Sequence, residues 1–252
     1  MGAKKTGKST LGSLLMPLVM LAAVGLVLAL LNGGTDSGLV AKVRDSWGQV
    51  AASIGVPGSR GAVDSGTGSP SDDPSTLTVA AKGSMDTYVR SNFGPAWTDN
   101  VNVEGGHNGC DTRNDILARD LVDVYAPDGC KVLSGTLADA YTGKVIAFVR
   151  GTDTSSAVQI DHIVALGNAW VSGADSWPKS RLVMIANDPL NLIASDGPAN
   201  MGKGARAADE WLPPNAAFRC TYVKSQVRVK NKYGLTVTAT EKSVMMHYYG
   251  KC

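Results

Sequence analysis

The sequence IDHIV at residues 160–164 places an aspartate and a histidine side by side within an apolar run. Short apolar runs between turn residues are typical of buried strands, so a strand is predicted over residues 158–164. The sequence NLIASDGPANMGK at residues 191–203 follows later, with two asparagines nine residues apart and a lysine at its end. We expect the fold to bring the polar residues of these two stretches together.

The residue types in these stretches suit the hydrolysis of a phosphodiester bond. Such a reaction needs a base for the attacking water, and imidazole has an unperturbed pKa near neutrality, which makes His162 the candidate base. It also needs a cation for the developing negative charge, and Mg²⁺ takes oxygen ligands while keeping several waters. Asp161 offers a carboxylate and Asn200 an amide oxygen for such an ion, while Lys203 is placed to reach a phosphate oxygen.

The same stretches resemble the HNH endonucleases, also called ββα-metal or His-Me finger nucleases. The resemblance rests on the Asp161–His162 pair, on Asn191 and on the N-x-x-K pattern from Asn200 to Lys203. Within that group the chain is most similar to the C-terminal nuclease domain of the GmrSD-type restriction enzymes, a branch found also as short secreted proteins of actinobacteria. Further matching stretches are CDTRND at 110–115, VLSGTL at 132–137, ANDPLN at 186–191 and EWLPPN at 210–215.

The resemblance covers roughly residues 109–252 and implies an α+β fold, with a ββα-metal core to which helices and strands are added. It implies that His162 is the general base and that Asp161 and Asn200 hold one Mg²⁺ or a similar ion such as Mn²⁺. Asn191 would brace the loop that orients the histidine, and Lys203 would support a phosphate or the loop. The implied partner is nucleic acid, with DNA expected, and no protein partner is implied.

This chain departs from the HNH pattern at its third position. The pattern ends in a histidine, whereas this chain has Asn200 there. An amide oxygen favours Mg²⁺ over softer metals such as Zn²⁺. The departure therefore bears on the identity of the metal and leaves the predicted reaction unchanged.

The adjacency of Asp161 and His162 sets a geometric condition. Neighbouring side chains of a regular strand point to opposite faces, so both residues can serve one site only where the strand ends or carries a bulge. The sequence therefore predicts a break in the strand at this pair.

Other functions are compatible with the same residues. A nucleic-acid-binding or structural surface module could keep this fold without turnover, and a nuclease toxin could act on neighbouring cells. Single residues also have ordinary explanations, since asparagines often form turns and a histidine beside an aspartate is often structural. Degradation of DNA that requires a divalent metal would separate an enzyme from a binding module.

The distribution of charge is more informative than the net charge of +2. Residues 211–240 contain no acid, and their basic residues are Arg219, Lys224, Arg228, Lys230 and Lys232. Such a run is ordinarily a solvated helix face, and in a nuclease it is a candidate for sequence-independent phosphate contacts. Three other charged residues, predicted to form structural salt bridges, are Arg113, Asp115 and Arg150.

The N-terminus suggests export. Three lysines precede residues 11–31, an uncharged stretch of 21 residues that is long enough to cross about 30 Å of hydrocarbon as a helix. Residues 1–34 are therefore predicted to be a membrane anchor, with a cleaved signal peptide as the alternative. Residues 35–78, rich in Gly, Ser, Asp and Pro, are predicted to be a flexible linker, and residues 79–252 the nuclease domain. That domain would lie outside the cytoplasm, either anchored or secreted.

Four cysteines lie in the predicted domain, and none forms a CxxC pair. An even number of cysteines in an exported chain favours two disulfides. Of the three possible pairings we prefer Cys110–Cys130 with Cys220–Cys252.

Apolar periodicity and turn residues predict the remaining elements of the domain. Asp111 is expected to cap a short helix, and Asn215 is expected to cap a basic helix that stops at Gly234. A last helix is expected from Glu241. Strands are predicted over residues 130–137, 144–150 and 235–238, and a helical end over residues 207–212.

Overall fold

The computed structural model describes residues 69–152 and 154–252. The predicted anchor at residues 1–34 and linker residues 35–68 lie outside this part. Within it, no helix combines the length and the apolar character that a membrane crossing requires. The part described is a mixed α+β structure, as the sequence predicted.

Six α-helices and five short strands form the described residues. In chain order they are α1 (Thr112–Asp120), β1 (Leu121–Tyr125), β2 (Ser134–Ala138), β3 (Val145–Val149), β4 (Val158–His162), α2 (Leu166–Val171), α3 (Lys179–Asn187), β5 (Leu192–Asp196), α4 (Gly197–Lys203), α5 (Arg219–Tyr233) and α6 (Ala239–Tyr249).

The strands form two antiparallel sheets. One has the order β1-β2-β3, and the other pairs β4 with β5. The β4–β5 register is regular along both strands, with Asp161 opposite Ile193 and His162 opposite Leu192. Helix α4 starts directly after β5, so two paired antiparallel strands and a helix lie next to the Asp161–His162 pair, with α2 and α3 in the connection between the strands.

The turn from β5 into α4 has local causes. The Asp196 carboxylate accepts a hydrogen bond from the backbone N–H of Ala199, which caps the helix, and Pro198 lies in its first turn. A Cβ atom at Gly197 would lie 2.1 Å from the carbonyl oxygen of Ser156, so only glycine fits this close approach. The sequence therefore fixes where strand β5 ends and helix α4 begins.

Capping residues define two further helices as predicted. Asp111 accepts a hydrogen bond from the N–H of Asn114 at the start of α1. Asn215 caps a short 3₁₀ turn that leads into α5, and Gly234 ends α5 in the left-handed region, with φ of 62°.

Two of the predicted elements are wrong. Residues 235–238 form no strand, because Leu235 and Val237 are buried among helices and only Val237 pairs, through a single bridge to Val79. Their alternating apolar residues reflect burial in the core and do not indicate a strand in a sheet. Residues 207–212 form turns instead of a helical end, and strand β1 was not predicted.

The core of the described residues contains two large buried clusters. One buried cluster joins α1 and the three-stranded sheet to the inward faces of β4 and β5, including Val158 and Leu192. A second cluster packs α2, α3 and α5 together around Trp170. Pro74 and Leu77, at the end of the predicted linker, are also buried, so the packed structure begins before residue 79.

Both predicted disulfides are confirmed. Cys110–Cys130 ties the segment before α1 to the β1–β2 connection, and Cys220–Cys252 ties the start of α5 to the last residue of the chain. Disulfides persist mainly in oxidising compartments, so the pairing favours a location outside the cytoplasm.

Removal of the second disulfide should destabilise the domain. The Cys220→Ser/Cys252→Ser variant is expected to lose about 2–4 kcal/mol of unfolding free energy, because the cross-link restricts a loop of the unfolded chain. Urea unfolding of the variant and of the native protein measures the difference. An unchanged midpoint, or mass mapping that finds four free thiols in the native protein, would contradict the pairing.

Candidate active site

His162 is the last residue of β4 and is almost fully buried. Its Nε2 lies 2.9 Å from the carbonyl oxygen of Ala186. A carbonyl oxygen can only accept a hydrogen bond, so Nε2 carries the proton and the lone pair is on Nδ1. The ring is thus held in the tautomer in which Nδ1 is the basic atom.

Burial keeps the His162 ring uncharged. Removal from water lowers the pKa of His162 to about 3, and the positive charges of Arg90 and Lys203 act in the same direction. The bond to Ala186 opposes this shift without reversing it. The imidazole is therefore neutral around pH 7 and keeps the lone pair on Nδ1.

Trp97 covers one face of the His162 ring. The two rings are stacked, with centroids 5.6 Å apart and planes inclined by 11°. Trp97 has φ of 59°, in the left-handed region that bulky side chains rarely adopt. Such strained backbone is often found at functional sites. The sequence did not predict a role for Trp97, which lies far from His162 along the chain.

Asp161 is held by two buried side chains. The hydroxyl of Tyr141 donates to Oδ2 at 2.6 Å. The ammonium group of Lys203 lies 3.0 Å from Oδ1 and 2.9 Å from Oδ2, and it also donates to the carbonyl oxygen of His162 at 2.6 Å. Burial, and then the charge of Asp161, raises the pKa of Tyr141, so the phenol stays a neutral donor.

Lys203 therefore acts inside the protein. Its side chain has no exposed surface, and its amine is bound to Asp161 and to the backbone of His162. In this structure the amine faces Asp161 and the His162 backbone, which agrees with support of the local backbone, and contact with a phosphate oxygen stays a prediction. Sequence reasoning missed Tyr141, whose position between two predicted strands gave no sign that its hydroxyl meets Asp161.

Asn191 joins the two ends of the connection between β4 and β5. Its Oδ1 accepts from the N–H of Val164 at 2.8 Å, and its Nδ2 donates to the carbonyl oxygens of Val164 and Ile185, each at 3.2 Å. These are the contacts expected of a loop brace. Through Ile185 they also fix the neighbouring Ala186, which binds the His162 ring.

Asn200 lies on α4 and faces the same cavity as Asp161 and His162. It is half-buried, and its Nδ2 donates to Oε1 of Gln159 at 2.9 Å. The amide nitrogen is thus oriented by β4. The carbonyl oxygen accepts no hydrogen bond from the residues that the structure describes.

The predicted break at the Asp161–His162 pair takes one of its two forms. Strand β4 ends at His162, and its pairing with β5 is regular up to that residue, without a bulge. At the end of the strand both side chains line one cavity of about 480 Å³, which Asn200 also lines.

The donor set at this cavity is small. Within residues 69–152 and 154–252, no group of three or more His, Cys, Asp or Glu side chains could hold a metal ion. Asp161 and Asn200 supply one carboxylate and one amide, which are oxygen donors. Such a set fits a hard cation that keeps most of its waters, as Mg²⁺ does, and does not fit a structural zinc site.

The salt bridges predicted for three charged residues between positions 113 and 150 are wrong. Among the described residues, Arg113, Asp115 and Arg150 form no salt bridge. Arg113 donates to the carbonyl oxygen of Val158 at 3.2 Å, and Arg150 donates to Asn114 and to Val132. Arg113 lines the cavity that Asp161 and His162 share, and Arg90 lines it as well.

The basic run of α5 is largely neutralised within the protein. Lys230 is fully buried, so the predicted phosphate contact is wrong for this residue. Lys224, Arg228 and Lys232 also face carboxylates. These contacts lower the net positive charge of the helix face. The pairs are Lys224–Asp72, Arg228–Asp72, Lys230–Glu241 and Lys232–Asp188, while Arg219 donates to the carbonyl oxygen of Pro213.

Comparison with known proteins gives two matches. Residues 111–248 match the family described as GmrSD restriction endonucleases, C-terminal domain. A protein of Arthroderma benhamiae, described as an uncharacterized secreted protein, is 37% identical over 180 residues, which cover 71% of this chain and 82% of that protein. No solved structure matches the chain. The residues that match the family model include every candidate site residue except Arg90 and Trp97.

Proposed function

Because the chain belongs to the family of the GmrSD restriction endonuclease C-terminal domains, which indicates a nuclease, we propose that it is a metal-dependent endonuclease. It hydrolyses phosphodiester bonds of nucleic acid, with DNA as the expected substrate. The observation that carries this proposal is that Asp161, His162 and Asn200 line one cavity at the end of β4. We infer that β4, β5 and α4 are the ββα-metal core of an HNH nuclease.

In this proposal His162 is the general base. The bond from Nε2 to Ala186 leaves Nδ1 free to take a proton from the attacking water, and burial keeps the ring neutral before that step. Asn191 fixes the loop that carries Ala186, so it positions the base without touching the substrate. Trp97 stacks on the ring and limits its rotation.

Asp161 and Asn200 would hold the divalent ion, with Mg²⁺ or Mn²⁺ expected. When bound, such an ion stabilises the negative charge that develops on the phosphate oxygens. Tyr141 and Lys203 orient the Asp161 carboxylate through hydrogen bonds and leave it only part of its capacity to accept others. Residues that orient metal ligands in this way are commonly as important as the ligands themselves.

The protein is proposed to act outside the cytoplasm. Its two disulfides favour an oxidising compartment, and the matching protein of Arthroderma benhamiae is described as secreted. The anchor or signal segment over residues 1–34 stays a prediction, because it lies outside the described residues.

Plasmid digestion tests the activity directly. Supercoiled DNA is expected to be nicked and degraded in Mg²⁺ or Mn²⁺, to survive in excess EDTA, and to be degraded again when Mg²⁺ is restored. RNA incubated in parallel shows whether the choice of DNA is right. If plasmid and RNA both stay intact across Mg²⁺ and Mn²⁺, the chain is a binding or structural module and the enzyme proposal fails.

A further inference from the structure

The cavity at the end of β4 carries more positive than negative charge. Asp161 is the one carboxylate among the described residues that line it, and that carboxylate is already paired with Lys203. Arg90 and Arg113 line the same cavity. An anion in the cavity would therefore meet two arginines, the side chain best shaped to bind phosphate through two parallel hydrogen bonds.

The positive charge of Arg113 is not paired with a carboxylate among the described residues. Its side chain is half-buried, and its one hydrogen bond among the described residues goes to the carbonyl oxygen of Val158. Burial, and then the charge of Arg150, lowers the pKa of Arg113, and Asp111 only partly offsets these effects. A partly buried cation without a paired carboxylate is costly to the folded protein. An anion bound to Arg113 would remove that cost.

The two arginines lie toward opposite ends of β4. Arg113 contacts Val158, the first residue of the strand. Arg90 lines the cavity together with His162, the last residue, and its charge acts on the His162 ring. Four residue steps along the strand, or roughly 13 Å between Cα atoms, separate these ends. The strand ends are thus farther apart than the width of one phosphate group, a spacing that suits two phosphates of one backbone.

We propose that Arg90 and Arg113 bind two different phosphates of one nucleic-acid backbone, which runs along β4 with the scissile phosphate between them. This inference rests on the proposed nuclease function of the cavity. It identifies the substrate as a polynucleotide that carries phosphates on both sides of the cleaved bond. Small phosphodiesters would reach His162 without using either arginine.

Binding without cleavage tests the proposal. In a His162→Ala background and in EDTA, a fluorescein-labelled 20-base-pair DNA duplex is titrated with protein across a series of salt concentrations, with anisotropy as the readout. Arg90→Gln and Arg113→Gln are each expected to weaken binding about tenfold, since bonds to charged groups are the stronger ones. Each should also reduce the slope of log K against log salt by about 1.

Two further variants control this experiment. Arg113→Lys keeps the charge and should keep most of the salt slope while losing part of the affinity. Lys131→Gln removes one exposed charge outside the cavity and should leave affinity and slope unchanged. Thermal melting confirms folding, and Arg90 is exposed, so its variant should fold normally even if Arg113→Gln does not. Unchanged affinity and slope in Arg90→Gln overturn the proposal.

Kinetics with two substrates separate flanking contacts from contacts to the scissile phosphate. With DNA, both glutamine variants should raise KM about tenfold, whereas hydrolysis of bis(p-nitrophenyl) phosphate should change less than about twofold. Equal losses on both substrates would place the arginines on the scissile phosphate and overturn the proposal. If native protein binds DNA through these arginines without cleaving it, the two phosphate positions stand and the nuclease proposal fails.

Discussion

Replacing His162 by glutamine should reduce kcat on DNA by about 10²–10⁴-fold, the usual contribution of a positioned general base. The amide of glutamine can still donate to the carbonyl oxygen of Ala186, which His162 Nε2 meets at 2.9 Å. Glutamine offers no atom that takes a proton near neutral pH. The variant should therefore fold like the native protein and bind DNA with similar affinity, while the hydrolytic step is lost.

The comparison needs variants that separate chemistry from packing. His162→Ala also removes the ring on which Trp97 stacks, so it should lose stability as well as activity. His247→Ala removes an exposed histidine on α6 and should leave kcat unchanged. Initial rates of plasmid nicking in saturating Mg²⁺ measure the effect. A His162→Gln variant that keeps more than about a tenth of the native kcat would show that another group activates the water.

The residues of the candidate site that could be predicted are those whose placement is local. Asp161 and His162 end one strand, and Asn200 lies on a helix whose start is set by Asp196 and Gly197. Short-range sequence signals therefore determine where on the strand and the helix these residues lie. The pairing of β4 with β5 then brings the two stretches together.

The parts that could not be predicted depend on long-range partners. Lys203 looks like a surface lysine in the sequence, and only the fold shows that its amine meets Asp161. In α5, Lys224 and Arg228 meet Asp72, which precedes them by more than 150 residues. The sequence gives the charge of each side chain, but it does not show which carboxylate a basic side chain will pair with in the fold. Trp97 and Arg90 lie outside the residues that match the family model, and only the fold brings them to the site.

Replacing Lys203 by methionine should lower both the free energy of unfolding and kcat. Breaking a buried ion pair leaves an uncompensated charge and costs about 3–5 kcal/mol. Lys203 also binds both oxygens of Asp161 and the carbonyl oxygen of His162, so its loss frees the end of β4 to move. The loss of a partner that orients a metal ligand typically reduces activity about 10–100-fold.

The chain contains a matched control for this variant. Lys230 is also fully buried and lies 3.0 Å from a carboxylate, that of Glu241, but it does not line the cavity. Lys230→Met should therefore lose a similar amount of stability in urea unfolding and keep the native kcat. If the two variants keep the same kcat when both are folded, Lys203 is a structural residue only.

A titration with Mg²⁺ distinguishes the two ways in which Lys203 could act on the ion. As a positive charge within 3.0 Å of Asp161, it repels a cation, so its removal alone would lower the Mg²⁺ concentration needed for half-maximal activity. As a group that orients the carboxylate, it contributes at saturating Mg²⁺, where repulsion no longer limits the rate. A fall in kcat that persists at saturating Mg²⁺ therefore identifies Lys203 as a positioning residue, even if less metal is then required.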